Sequence, residues 1–367
     1  MKKETIEANV CKALVMTGVY YKNHHPGGIS SVIQSWSEHF EELHFYPMFK
    51  ETNNAGKLYY FLKSIIALFF KFLIDKRVKI VYIHTAADHD FWRSGKVIQL
   101  AKLFDKKIVL HSHASRFKDF YNESSTDKQA WIKKTIGKAD LLIVLSESWK
   151  EWFCSIGIES TKIKILHNIT PYPKETGLAS QSESTQGRNR LNLLFLGEIG
   201  QRKGIFDLLE AIIDHRRELK DKIELRIGGN KNEKKLLEVI AKGGIEGFVH
   251  FEGYVVAEKK IELLNWADVF ILPSHNEGLP ISILEAMSYR MPIISTPVGG
   301  IPEVVDETNG ILVKPGDKEE LFNAVYHYVY CHVDIDKHGK KSYEKVQPYL
   351  PNGVISELKM ILKELIN

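Results

Sequence analysis

At 367 residues, with 44% hydrophobic and 26% charged residues, the chain has the balance of a globular protein and enough apolar material for two domains. Its formal charge of +4 is too small to argue for nucleic acid, and Cys11, Cys154 and Cys331 match no metal spacing, which fits buried thiols in a reducing compartment. The start MKKETIEANVCKALVM lacks the core of a signal peptide. The most apolar stretch, 59–74, is broken by Lys63 and Lys71, short of the ~20 residues that a spanning helix needs. The expectation is a cytoplasmic protein, in contact at most with the inner face of the plasma membrane.

Apolar runs alternate with helical patterns along the whole chain. In the first half, 12–18, 79–84, 107–113, 140–146 and 162–168 are predicted strands, buried on both faces as in a helix-covered parallel sheet. HHPGGISSVI (24–33) puts Gly27 and Gly28 ahead of a helix. From 50 to 80, seven Lys/Arg stand against Glu51 and Asp75, a net charge of +5. This predicts a helix with a buried stripe and a basic outer edge able to face an anionic membrane. Asp88-His89-Asp90 reads as a solvated or cleft-edge loop without a metal. VLHSHASRF (109–117) closes a strand with His111 and His113 on one face, since side chains alternate along a strand.

Residues 171–190, rich in Pro, Gly, Ser and charge, read as a linker. It separates a first domain over 1–172 from a second over 191–340. Predicted strands of the second are 191–197, 223–229, 249–254, 268–274 and 291–297. A closing helix over 353–367 has Ile355, Leu358, Ile361, Leu362 and Leu365 at helical spacing. The fold class is α/β, with two doubly wound domains and the site in a cleft between them, beyond the carboxyl ends of the strands.

The segment SHNEGLPISILEAMSYRMPIISTPVGGIPEVV (274–305) concentrates the chemistry. A loop with Gly278 leads to Pro280, expected as the first helical residue, where its missing N–H costs nothing. The helix start offers N–H groups and a positive dipole end to an anion. Glu277 stands before the helix and Glu285 about 7.5 Å along its axis from Pro280. There a carboxylate is able to take two ribose hydroxyls, although both glutamates also suit a solvated face and a surface loop. PVGGIPEVV adds a second glycine-rich, helix-entering loop. LGEIGQRKGIFDLLEA (196–211) places Arg202 and Lys203 in a glycine-flanked loop, two cations able to balance a diphosphate, or equally a pair of ordinary surface cations.

This combination of LGxxxxRKG after a strand, then LPS, E-G-L-P-x-x-x-x-E-A-M and P-V-G-G-I-P-E, resembles family 4 of the retaining glycosyltransferases (GT4). The resemblance implies the GT-B fold: two Rossmann-like domains facing a central cleft, with the closing helix packed back on the first domain. In the family's E-x7-E motif, matched here by Glu277 and Glu285, the first glutamate holds the transferred sugar and the second the nucleotide ribose. Lys203 matches a lysine on the donor diphosphate. Gly27 and Gly28 match the family's first phosphate-facing loop, and His113 the histidine of an H-x-H-G segment near the reacting sugar, with Ala114 in the glycine position. The implied catalytic residues are His113 and Glu277. The implied donor-binding set is Gly27, Gly28, Arg202, Lys203, Gly278, Leu279 and Glu285, with no metal and no cofactor beyond a UDP- or GDP-linked sugar. One departure stands out. Glu198 occupies the place where many members carry a phosphate-binding arginine, so that either Arg202 substitutes or the donor site is weakened.

The implied reaction transfers a sugar from a nucleotide donor to an acceptor hydroxyl with retention, the leaving phosphate taking the acceptor's proton. The partners are a nucleotide-sugar and a saccharide acceptor, lipid-linked in bacterial surface polysaccharide synthesis, with contact to an anionic membrane and none to nucleic acid. A nucleotide-sugar 2-epimerase, a synthase with a soluble acceptor and a non-catalytic GT-B partner subunit are the competing readings.

Overall fold

The computed structural model describes residues 4–22, 28–113, 116–173 and 190–366. The chain divides into two compact units, residues 1–169 with 351–367, and residues 170–350.

The first unit is built on β1 (Leu14–Val19), β2 (Phe45–Phe49), β3 (Ile80–Thr85), β4 (Lys107–Ser112), β5 (Leu141–Val144) and β6 (Ile163–Ile165), all parallel, in the order β2-β1-β3-β4-β5-β6. The second uses β7 (Leu191–Leu196), β8 (Ile223–Gly228), β9 (Val249–Phe251), β10 (Val269–Leu272), β11 (Ile293–Ser295) and β12 (Gly310–Leu312), in the order β12-β11-β10-β7-β8-β9. The central strands are apolar because helices cover both faces: every residue of β3, β5, β7 and β10 is buried. Strand order reverses between β1 and β3 in one sheet and between β7 and β10 in the other. At such switch points the following loops diverge to opposite faces and leave a crevice for a ligand.

The closing helix runs Pro351–Ile366 and belongs to the first unit. It buries Val354, Ile355, Leu358, Ile361 and Leu362, and its Lys359 pairs with Glu4 at 3.2 Å and Glu7 at 2.5 Å.

Several expectations need correction. β2 and β12 were not anticipated: both are edge strands, one carrying Pro47 and the other only three residues long. Proline survives at a sheet edge because only one side of the strand need donate. Asp88-His89-Asp90 is no loop but the first turn of the Asp88–Leu103 helix. Asp90 accepts from the Ala86 N–H at 2.7 Å and pairs with Arg93 at 3.2 Å; burial raises its pKa against the pull of that arginine. The outward face of the Asn54–Ile74 helix is more apolar than expected, with Leu62, Ile66 and Phe70 exposed; Lys71 turns to Asp75 (2.9 Å), and the exposed cations, Lys63 and Lys76 among them, lie toward its rim. Of the three thiols, only that of Cys11 is buried, while Cys331 is exposed.

Candidate active site

The second sheet's switch point carries the glycine-bounded loops and the two glutamates singled out in the sequence. Beyond β7, Gln201–Lys203 form one 3-10 turn, and Gly204 in the left-handed region (φ 69°) turns the chain into the Ile205–Asp214 helix. Only glycine fits, since a Cβ there would overlap the Pro273 carbonyl oxygen. Beyond β10, the chain passes through Ser274 to the Ile281–Ser288 helix. Pro280 is its N-cap residue rather than its first helical one, and no side chain caps the start.

These two loops meet at Glu277, which is only 5% exposed. One carboxylate oxygen accepts from Lys203 Nζ and, at 2.7 Å, from the Ser274 hydroxyl; the other lies 3.7 Å from Arg202. Arg202 also donates to the Asn276 carbonyl at 3.2 Å. His275 fastens the β10 loop to the β7 loop: its N–H donates to the Arg202 carbonyl at 2.8 Å, and its ring meets Asp207 at 2.6 Å. Two cations and one carboxylate are thus fixed side by side before a ligand arrives, an arrangement that stabilises developing charge without reorganisation.

The second glycine loop is knitted to the first. The Gly300 N–H donates to the Gly278 carbonyl at 2.6 Å, and a Cβ on Gly299 (φ 57°) would overlap the Glu277 carbonyl oxygen. Gly278 and Leu279 are buried beneath this junction. Glu285 is 6% exposed, so it belongs to no solvated helix face. Its partner is Lys260, 2.5 Å away on the Ala257–Trp266 helix. Burial works to lower the Lys260 pKa, but the Glu285 carboxylate outweighs it and the net shift is upward.

In the first unit three histidines gather at the carboxyl ends of β3 and β4, beside the switch point. His84 and His111 end β3 and β4 in register, and His113 follows β4. His84 Nδ1 lies 2.8 Å from His113 Nε2, His84 Nε2 3.3 Å from the Met16 sulfur, and His111 Nδ1 2.9 Å from the Tyr82 hydroxyl. A thioether only accepts, so His84 Nε2 carries the proton and Nδ1 accepts from His113 Nε2–H. That leaves His113 Nδ1 as a bare acceptor, buried and without a partner among the described residues. Burial pushes the His113 pKa down to about 3, and the His84 and His111 values well below the ordinary one.

Comparison with known proteins fits this geometry. Residues 23–170 match the family described as Glycosyltransferase Family 4, and residues 190–329 the family described as Glycosyl transferases group 1. The chain belongs to the family 4 glycosyltransferases. An uncharacterized glycosyltransferase of Methanocaldococcus jannaschii is 29% identical over 61% of this chain and 60% of its own length. The putative teichuronic acid biosynthesis glycosyltransferase TuaC of Bacillus subtilis is 27% identical over 60% of this chain and 55% of its own. These matches therefore span little more than half of either relative. Anabaena HepE in complex with UDP-glucose superposes with a TM-score of 0.74 at 15% identity, covering 96% of this chain and 99% of that one, a likeness of fold. Two parallel Rossmann-like sheets and this likeness identify the fold as GT-B.

For a glycosyltransferase of this family, the structure brings Arg202, Lys203, Glu277 and Gly278 together and sets Glu285 on the adjoining helix. Gly28 opens the Gly28–Ser37 helix, whereas Gly27 and Ala114 lie outside the described residues. Glu198 is part-exposed and pairs with Lys231 at 2.9 Å, so a cation stands beside it. Sequence reasoning missed Lys260, Ser274 and His84. Ser274 left a signal as the serine of the LPS motif, and His84 as a histidine near the end of a predicted strand; Lys260 left none. As to metals, two described groups have suitable donors within 4.8 Å of one another: His84, His111 and His113, and His327, Cys331 and Asp334.

Proposed function

We propose that the protein is a retaining glycosyltransferase that moves a sugar from a nucleoside diphosphate donor to an acceptor hydroxyl. The observation that carries this reading is Glu277, held by Lys203, Arg202 and Ser274 at an uncapped helix start, with the buried Glu285 on the same helix. Lys203 and Arg202 take the departing diphosphate, aided by the first-turn N–H groups and the backbone beside Gly278 and Leu279. They supply the positive charge that a metal supplies elsewhere, and the reaction is independent of metal and cofactor. As the phosphate occupies them, Glu277 turns its acceptor oxygens to the sugar hydroxyls. Glu285 takes the ribose hydroxyls. His113 Nδ1, a bare acceptor in the first unit, is suited to a sugar hydroxyl. The departing phosphate takes the acceptor's proton on the face it leaves, which gives retention.

We assign the donor to the UDP sugars over the GDP sugars, since HepE was solved with UDP-glucose. We assign the acceptor to a lipid-linked saccharide of a bacterial surface polysaccharide, in keeping with the putative teichuronic acid biosynthesis glycosyltransferase TuaC, so that the enzyme works at the inner face of the membrane. The test is calorimetric titration with UDP, GDP and ADP without metal, repeated on Glu285→Ala. Micromolar binding of UDP, weakened about 30- to 150-fold in the variant, is expected from the ~2–3 kcal/mol of hydrogen bonds to a charged group. Absence of binding to all three nucleotides would turn the reading toward a non-catalytic subunit.

A further inference from the structure

The Asn54–Ile74 helix is apolar on the face turned away from its own unit. Its inner face is filled by Ser64, Leu68 and Phe72, and Ser64 donates to the Pro47 carbonyl at 2.7 Å. A surface helix ordinarily turns charge to water on the opposite side. Here Leu58, Leu62, Ile66, Phe70 and Leu73 stand on that side, each 48–57% exposed. At about 100° per residue, they and the exposed Tyr59, Phe69 and Ile74 span an arc of ~160°. Lys63 is the one charged residue within the arc. From Leu58 to Ile74 the ridge is ~24 Å long, and at its flank Phe61 meets the exposed Trp92 of the Asp88–Leu103 helix at 5.8 Å.

We propose that this ridge is a lipid-docking surface that seats the first unit on an anionic membrane, the helix lying in the plane of the headgroups. The proposal deepens the lipid-linked acceptor reading and rests on it for its purpose, not for its evidence. Charge favours a bilayer over other occupants. The helix contains no Asp or Glu, and Asp75 just beyond it is occupied by Lys71 at 2.9 Å and Arg77 at 2.8 Å. Lys63, Lys76 and Lys96 are exposed along the rim, with Lys63 over the Tyr59 ring and Lys96 over Trp92. Long cationic side chains lying over aromatic rings suit the level of anionic headgroups, where apolar stems and charged heads part company. A two-fold contact between copies would instead set this basic rim against itself. No described helix is long and apolar enough to cross a membrane, so the ridge lies on lipid and does not span it.

The test is sedimentation of the full chain with vesicles of phosphatidylcholine, with and without phosphatidylglycerol. The wild type should pellet with the anionic vesicles. The double variant Ile66→Asp/Phe70→Asp should lose that binding by roughly tenfold or more, because partition follows buried apolar area. Lys63→Glu/Lys96→Glu should lose the preference for phosphatidylglycerol. All these positions are exposed, so melting temperature and UDP titration should match the wild type. A wild type that ignores anionic vesicles overturns the proposal, as does an apolar-face variant that binds equally well. A wild-type dimer made monomeric by Ile66→Asp/Phe70→Asp would also overturn it and assign the ridge to a second copy. Vesicle binding needs no turnover, so loss of the glycosyltransferase reading would show only in the UDP titration.

Discussion

Acid should unfold the first unit, and the three clustered histidines give the size of the effect. His84, His111 and His113 have folded-state pKa values below the ordinary value of about 6.5, all through burial first, with repulsion from the neighbouring histidines adding to the shift at His84 and His111. The unfolded chain therefore takes up protons before the folded one does. The stability this lends is complete above pH 6.5 and is lost as pH falls below it. With the rings neutral in the folded state, going from pH 7 to pH 5 costs about 2 kcal/mol per histidine, or about 6 kcal/mol for the three. That approaches the whole stability of many domains, about 5–15 kcal/mol. Five of the six tryptophans, all but Trp266, lie in the first unit, so urea unfolding followed by tryptophan fluorescence reports mainly on it. The fluorescence midpoint should fall steeply between pH 7 and pH 5, before the carboxylates titrate. His111→Phe keeps a ring against Trp36 and Tyr82 and should flatten that fall by about 2 kcal/mol. A midpoint that holds steady to pH 5, or a variant with the wild-type slope, would refute the reasoning.

Three further outcomes are expected. Gly204→Ala and Gly244→Ala both force a side chain into left-handed backbone, at about 1–3 kcal/mol of strain. Only at Gly204 does the Cβ collide with backbone, so urea melts should show the first variant clearly less stable than the second. Lys260→Met leaves Glu285 buried without its cation and should cost about 3–5 kcal/mol, while Lys260→Met/Glu285→Met should regain most of it in the same melt. If Lys203 addresses the diphosphate as proposed, Lys203→Ala should weaken UDP far more than it weakens uridine in calorimetry; equal losses would place it elsewhere.

What the sequence made legible was whatever depends on pattern or spacing. Buried runs such as Leu193–Phe195 and Val269–Leu272 announced central strands, and glycine-bounded loops announced the β7 and β10 ends. Edge strands β2 and β12 escaped because half-exposed, short or proline-bearing segments lack that pattern. Pairings made by the tertiary fold alone escaped too. Lys260 stands 25 residues from Glu285, and Ser274 became a partner of Glu277 only when the loop curled back. Asp90 looked like a solvated acid because nothing local shows that its helix start is covered.

The contact between the Gly300 N–H and the Gly278 carbonyl has a consequence for how such an enzyme changes its substrate. Both loops are pinned through main-chain atoms, which are the same whatever side chains the neighbours carry. The proposed phosphate seat therefore needs glycine at 299 but is otherwise held by backbone, while side chains flanking the two loops are left to vary. Selection, or an engineer, is able to exchange one nucleotide or sugar for another by altering those flanks without rebuilding the seat.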